Sequence, residues 1–303
     1  MIPSDLKSLL AKQHYKLAGG HSAVKVCMWT KRSIEGRGFC YKQKFYGIES
    51  HRCLQMTPAV SWCTHRCLFC WRNTEYTLGQ SLPGCDEPSL IIDECVRQHR
   101  LLLSGFGGTK KADKRMLCEA MSPRHAAISL SGEPTIYPKI DDLIGEFHRR
   151  NFTTYLVTNG TFPEKIESLS NLPTQLYLSL DAPNEDVYKR TDLPLIRDGW
   201  QRINRTLGLF PSLGTRKVVR LTLVRDLNAT DIKGYAKLIS KAEPDYVEVK
   251  SFMFVGGSRV RDLSLDRMLK MGEIMDFSEK LAQEMGYTVK DSKADSRVAL
   301  LSK

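Results

Sequence analysis

Six short apolar stretches alternate with amphipathic helical ones between Cys53 and Met285, and this rhythm narrows the fold more than any other property of the chain. The strand-like stretches are 53–62, 126–130, 153–158, 175–180, 217–224 and 246–252. Around them the spacing predicts helices over 88–104, 140–150, 200–210 and 231–241, with 265–285 as the longest helical stretch. Strands joined through helices run parallel, because the helical crossover returns the chain to the same end of the sheet. In a barrel of such units the C-terminal strand ends form the working face. Polar clusters stand at those ends: Cys63 to Cys70, Ser131 to Pro134, Asn159, Asp181 and Gly256-Gly257. The expected fold is α/β, a partial (β/α)6 TIM-like barrel over 54–303 with C-terminal helices, preceded by an N-terminal extension over 1–53. A doubly wound open sheet is the weaker alternative, since no Gly-x-Gly-x-x-Gly follows the first strand.

Composition bounds the chemistry. Nine cysteines in 303 residues, with no secretory pattern at Met1-Ile-Pro-Ser-Asp, point to a reducing interior and to metal or redox use. No apolar run approaches the ~20 residues that cross a bilayer, so a cytoplasmic chain without membrane contact is expected. The net charge is +11, and it is concentrated. Residues 1–53 carry ten Lys or Arg against three acids (Asp5, Glu35, Glu49), a net +7. Trp29, Phe39, Tyr41, Phe45 and Tyr46 are interleaved with those cations, the combination that neutralises phosphates and stacks unpaired bases. Within this segment 4–17 reads as a short amphipathic helix ended by Gly19-Gly20. Loops and short turns are expected between Cys27, Cys40 and Cys53, thiols spaced thirteen apart.

Cys63, Cys67 and Cys70 form a C-x3-C-x-F-C loop after the first strand. Closely spaced thiols hold zinc or an iron–sulfur cluster. Zinc wants a fourth ligand nearby; no second pair follows within a dozen residues, and His65 is poorly placed to close a tetrahedron. The loop resembles the signature of the radical S-adenosylmethionine (SAM) superfamily, whose three cysteines leave one iron of a [4Fe-4S] cluster open to SAM. That resemblance implies a barrel of the radical SAM type and puts Phe69 near the adenine. Ser131-Gly132-Glu133-Pro134 matches the family's Gly-Gly-Glu turn, which holds the SAM amino group, except that Ser131 replaces the first glycine. Asn159 and Ser179, at strand ends, are further candidate SAM contacts; Asp181 is either a similar contact or the cap of a turn, and Lys250 is either a snorkelling or an active-site cation.

The N-terminal third makes the resemblance narrower. Val26-Cys27-Met-Trp-Thr-Lys31, Gly38-Phe-Cys40-Tyr-Lys42 and Phe45 to Cys53 are similar to the archaeal and eukaryotic tRNA 4-demethylwyosine synthases, and the similarity continues through Cys63–Arg72, Ser131–Pro138, Leu156–Asn159 and Arg220–Val224. It implies that Cys27, Cys40 and Cys53 hold a second [4Fe-4S] cluster. It also implies a lyase of wyosine biosynthesis. The 5′-deoxyadenosyl radical made from SAM attacks the methyl of N1-methylguanosine beside the anticodon of phenylalanine tRNA, and pyruvate supplies two carbons. Pyruvate is handled either by the open iron of the second cluster or by Lys42 as a Schiff base, which the nearby Lys44 would favour. Eukaryotic members carry a flavodoxin-like domain ahead of the barrel. This chain has no room for one, so a separate low-potential donor of ferredoxin or flavodoxin type is expected, and a monomer. Cys85, Cys95 and Cys118 are irregularly spaced and read as structural thiols. Two other readings stay open: a radical SAM enzyme acting on a non-RNA substrate, and a zinc-stabilised RNA-binding module without chemistry.

Overall fold

The computed structural model describes residues 2–303. The chain divides into two compact units. The first comprises Met1–Trp62, Gly79–Val157 and Ser170–Thr174, and the second Cys63–Leu78, Thr158–Leu169 and Gln175–Lys303.

In the first unit, β1 (Lys16–Ala18) and β2 (Ser22–Val24) are antiparallel, and β2 lies antiparallel to β3 (Cys53–Thr57). From β3 the sense changes: β3, β4 (His125–Ile128) and β5 (Thr153–Thr158) pair in parallel, with Leu54 opposite Ala126 and Ala126 opposite Thr154. The helices are α1 (Ser4–Lys12), α2 (Met28–Ile34), α3 (Tyr41–Tyr46), α4 (Pro88–Ser104), α5 (Lys114–Ala120) and α6 (Ile140–Arg149). α6 shows why they form. Ile140, Leu143, Ile144 and Phe147 are buried at helical spacing, about 2 kcal/mol of gross burial each. Asp141 and Asp142 in its first turn and Arg149 in its last complement the helix dipole.

The second unit repeats the parallel motif. β6 (Gln175–Ser179), β7 (Arg216–Leu223) and β8 (Tyr246–Ser251) are parallel, with Gln175 opposite Arg216 and Val219 opposite Val247. β10 (Val298–Ser302) adds antiparallel to β8, and β9 (Thr288–Lys293) to β10. The helices are α7 (Pro163–Glu167), α8 (Glu185–Asp192), α9 (Gly199–Leu209), α10 (Ile232–Ala242) and α11 (Met271–Met285). Leu176, Tyr177 and Leu178 are all fully buried although they alternate in direction, as expected of a parallel strand covered on both faces.

All six expected parallel strands are present, three per unit. Among the described residues β1 has β2 as its one partner and β9 has β10, so the sheet is not closed and the barrel is partial. Several expectations need correction. The N-terminal helix stops at Lys12, His14 takes a positive φ, and Gly19-Gly20 turns the β1–β2 hairpin instead of ending a helix. The first parallel strand ends at Thr57, because Pro58 has no N–H for the ladder. The stretch between Cys27 and Cys53 contains α2 and α3, not turns alone. The longest helix is α4, with 17 residues. The C-terminal one starts only at Met271, where Glu273 accepts from Lys270 N (2.9 Å), since 265–267 is a separate 3-10 turn. The β9–β10 hairpin lies outside the pattern of expected strands: β9 is a charged edge strand with Lys290, Asp291 and Lys293, lacking the alternation that marks a half-buried strand.

Candidate active site

The three-cysteine loop belongs to the second unit and is held by backbone bonds to the end of α8. Arg66 N donates to Asp192 O (3.0 Å), Leu68 N to Thr191 O (2.9 Å) and Leu195 N to Thr64 O (2.8 Å). A further bond, Cys70 N to Cys67 O (3.1 Å), tightens the loop's last turn. His65 is buried and pairs with the Tyr188 hydroxyl (2.8 Å); burial lowers its pKa to about 3, so the ring is neutral. Asn159 bonds the loop within the second unit: its Nδ2 donates to Thr64 Oγ1 (2.8 Å) and lies 3.8 Å from Cys63 Sγ, while its Oδ1 accepts from Thr161 Oγ1 (2.7 Å). Phe69 is half-buried between Leu68 and Cys70. At the end of β6, Ser179 Oγ accepts from Arg220 Nη2 (3.3 Å). Asp181 is buried and accepts from Thr222 N (2.7 Å), and burial pushes its pKa up to about 6. Lys250 donates to Ser296 O (2.8 Å).

The first unit holds the other candidates. In the Ser131–Glu133 turn, Thr57 Oγ1 donates to Ser131 O (2.6 Å) and Glu133 N to Trp62 O (2.8 Å). Gly132 has φ +68°, and a Cβ there would stand 1.9 Å from Ala59 O and 2.5 Å from Trp62 O. Only glycine fits. Ser131 therefore replaces a residue one step before the position where the geometry is strict. Glu133, 2% exposed, uses Oε1 to accept from Thr135 N (3.1 Å) and Oγ1 (2.6 Å).

Cys27, Cys40 and Cys53 converge although they are far apart in sequence. Cys27 caps α2, Cys40 caps α3 and Cys53 opens β3. Ser50, 1% exposed, links these segments: Cys40 N donates to Ser50 Oγ (2.9 Å), Thr30 Oγ1 to Ser50 O (3.0 Å), and Ser50 N to Gln43 Oε1 (3.1 Å). A small core of Val26, Ile34, Leu103 and Ala120 packs beneath α2. Burial first, then the proximity of Cys27 and Cys40, pushes the Cys53 thiol far up, and nearby Lys42 partly opposes this. Lys42 is 9% exposed, with Nζ 5.2 Å from the centre of the Tyr155 ring.

The Cys63–Cys67–Cys70 loop suits the single iron–sulfur cluster of the radical SAM family better than zinc. None of the nine cysteines is in a disulfide, and all six in question are half-buried. Burial raises the Cys67 and Cys70 thiols, so a metal held there would have to displace their protons. Sulfurs 2.3 Å from one tetrahedral zinc stand within about 4 Å of each other. Among the described residues, the donor groups that close within 4.8 Å are His65–Cys67–Asp192 and Glu49–His51–Glu119, and neither is a thiol triad. Cys85 and Cys118 are exposed and Cys95 is buried, three unlike environments. Asp192, Tyr188 and Arg261 act on the loop from more than 100 residues away and carry no local signal in the sequence.

A partial parallel barrel with a three-thiol loop behind its first parallel strand is the architecture of a radical SAM enzyme, and the Radical SAM superfamily model matches residues 58–239. The Wyosine base formation model matches residues 241–303. The S-adenosyl-L-methionine-dependent tRNA 4-demethylwyosine synthase of Pyrococcus abyssi is 50% identical over 99% of this chain and 89% of its own length. The archaeal TYW1 crystal structure superposes with a TM-score of 0.82 at 36% identity, covering 100% of this chain and 96% of the other. A TYW1 structure with a lysine–pyruvate adduct bound superposes with a TM-score of 0.91 at 39% identity, with the same coverage. The chain belongs to the tRNA 4-demethylwyosine synthase family and is a radical SAM enzyme of wyosine biosynthesis. Among the described residues, no helix is long and apolar enough to cross a membrane.

Proposed function

We propose that this enzyme condenses N1-methylguanosine beside the anticodon of phenylalanine tRNA with two carbons of pyruvate, giving 4-demethylwyosine. Cys63, Cys67 and Cys70 would hold the [4Fe-4S] cluster that binds SAM, and Cys27, Cys40 and Cys53 a second one. When bound, these groups supply reductive cleavage of SAM to a radical at the first site and Lewis acidity at the second. In the first unit Gly132 and Glu133 present a backbone turn and a buried carboxylate suited to the amino group of SAM. In the second unit Phe69 is the candidate neighbour of an adenine, and Ser179 and Asn159 are candidate polar contacts. Electrons come from an external low-potential donor.

The observation that carries the reading is the convergence of Cys27, Cys40, Cys53 and Lys42 within one unit. A buried amine near Cys53 has no use in cleaving SAM, but it suits a keto acid. The Lys42 amine attacks the keto carbon of pyruvate, water leaves, and the protonated imine then draws electrons from the attached carbons. The likeness to a TYW1 with a lysine–pyruvate adduct supports Lys42 over the open iron as the group that engages pyruvate. The basic, aromatic segment 1–53 offers cations and stacking surfaces to the tRNA.

Two measurements test this. After anaerobic reconstitution, the wild type should hold about eight irons per chain and the Cys27→Ala/Cys40→Ala/Cys53→Ala variant about four. Equal iron in both would remove the second cluster. Borohydride reduction in the presence of pyruvate should leave a covalent adduct on Lys42, mapped by peptide mass, and none in Lys42→Arg. An unmodified Lys42 would move pyruvate onto the open iron.

A further inference from the structure

The Gly256-Gly257 turn at the end of β8 plays no part in the chemistry above, yet it grips the three-cysteine loop. Gly257 N donates to Trp71 O (2.9 Å). A Cβ on Gly256 would stand 2.4 Å from Trp71 O, and one on Gly257 2.3 Å from Arg72 O. Backbone thus meets backbone, and neither position tolerates a side chain. Four residues on, Arg261 collects the loop's carbonyls. Its Nη1 donates to Leu68 O (3.2 Å), to Cys67 O (3.4 Å) and to Cys70 O, and its Nη2 to Arg72 O. Its Nε is bonded to Glu75 Oε1 (2.7 Å), and the side chain is 8% exposed. A guanidinium is the one side chain with enough donors, held in a rigid plane, to serve four carbonyls and a carboxylate together. Arg261 lies in the segment matched by the Wyosine base formation model, whereas the loop it holds lies in the Radical SAM match.

We propose that Arg261 is a positioning residue that fixes the backbone of Cys67 and Cys70, so that the wyosine-specific C-terminal segment sets the geometry and the electrostatic environment of the SAM-binding cluster. This rests on the reading of Cys63, Cys67 and Cys70 as its ligands. The rigid fork holds the turn that aims two sulfurs. The buried positive charge favours the more negative, reduced state of a group held there, and so raises its reduction potential.

Arg261→Met and Arg261→Lys in the full chain test this with three readouts. The first is amide hydrogen exchange of the metal-free protein. Arg261→Met should speed exchange of the Leu68 and Cys70 amides at least tenfold and leave α9 and α10 unchanged, and Arg261→Lys should fall between it and the wild type. The second is loss of iron to a chelator after reconstitution, expected at least fivefold faster in Arg261→Met. The third is the midpoint potential of the cluster whose spectrum responds to SAM. It should move negative in Arg261→Met and stay at the wild-type value in Arg261→Lys, an ordering by charge that a packing defect would not produce. Unchanged exchange in the loop, exchange accelerated equally throughout the second unit, or potentials that ignore the charge would each overturn the proposal. Wild-type iron content in Cys63→Ala/Cys67→Ala/Cys70→Ala would instead refute the ligand assignment, and the exchange readout stands apart from that result.

Discussion

Replacing Gly132 by alanine should be among the most costly single-methyl changes in the chain. Alanine at φ +68° takes on about 1–2 kcal/mol of left-handed strain. Its Cβ would also stand 1.9 Å from Ala59 O and 2.5 Å from Trp62 O, and because both are backbone atoms neither can swing aside. Relief requires the turn to back away, which gives up the Glu133 N to Trp62 O bond (2.8 Å) and the Thr57 Oγ1 to Ser131 O bond (2.6 Å), about 1 kcal/mol each. The lower entropy of the unfolded alanine chain returns less than about 1 kcal/mol. The net loss is about 3 kcal/mol, which at a urea slope near 3 kcal/mol/M lowers the midpoint by about 1 M. Urea unfolding of metal-free protein measures it, with Gly208→Ala as the control. No atom lies within 4 Å of the Cβ position at Gly208, which is inside α9, so that variant should gain stability by about 0.5–1 kcal/mol. A Gly132→Ala midpoint within 0.3 M of wild type, on the same ~3 kcal/mol/M slope, would refute the close approach of turn and strand end on which the SAM amino-group assignment depends.

Three further outcomes are expected. His99, buried in α4 with Nε2 on Ala120 O (3.2 Å), has its pKa lowered from 6.5 to about 4, mainly by burial. The unfolded chain therefore takes up this proton first, and about 3 kcal/mol of stability present above pH 6.5 is lost as pH falls through 4. His99→Gln should flatten that part of the urea midpoint against pH curve, and parallel curves would contradict it. Alkylation of the reconstituted protein should modify the exposed Cys85 and Cys118 but not the buried Cys95, and removing the clusters should open the other six; protection of Cys118 by iron would place a ligand outside the two triads. Finally, Lys44→Gln, which removes an exposed cation of the basic segment, should weaken tRNA binding and make the plot of log affinity against log salt shallower by about one unit. An unchanged slope would take Lys44 off the RNA path.

The sequence by itself determined what depends on local spacing. Apolar periods of two and 3.6 located all six parallel strands and most of the helices, because the pattern that buries one face of an element is written along that element. The Cys63–Cys70 loop was equally legible, since its three thiols lie within eight residues of sequence. Spacing and likeness together marked Cys27, Cys40 and Cys53, but only tertiary structure decided that they meet, through Ser50 and the small core beneath α2, and that Lys42 is buried beside Cys53. The β9–β10 hairpin was hidden because an edge strand exposed to water has no need to alternate. Arg261 was hidden for a deeper reason. It is an ordinary arginine in the sequence, and its role comes from five acceptors contributed by Cys67, Leu68, Cys70, Arg72 and Glu75, nearly 200 residues earlier, which only the folding of β8 toward the cysteine loop brings within hydrogen-bond reach.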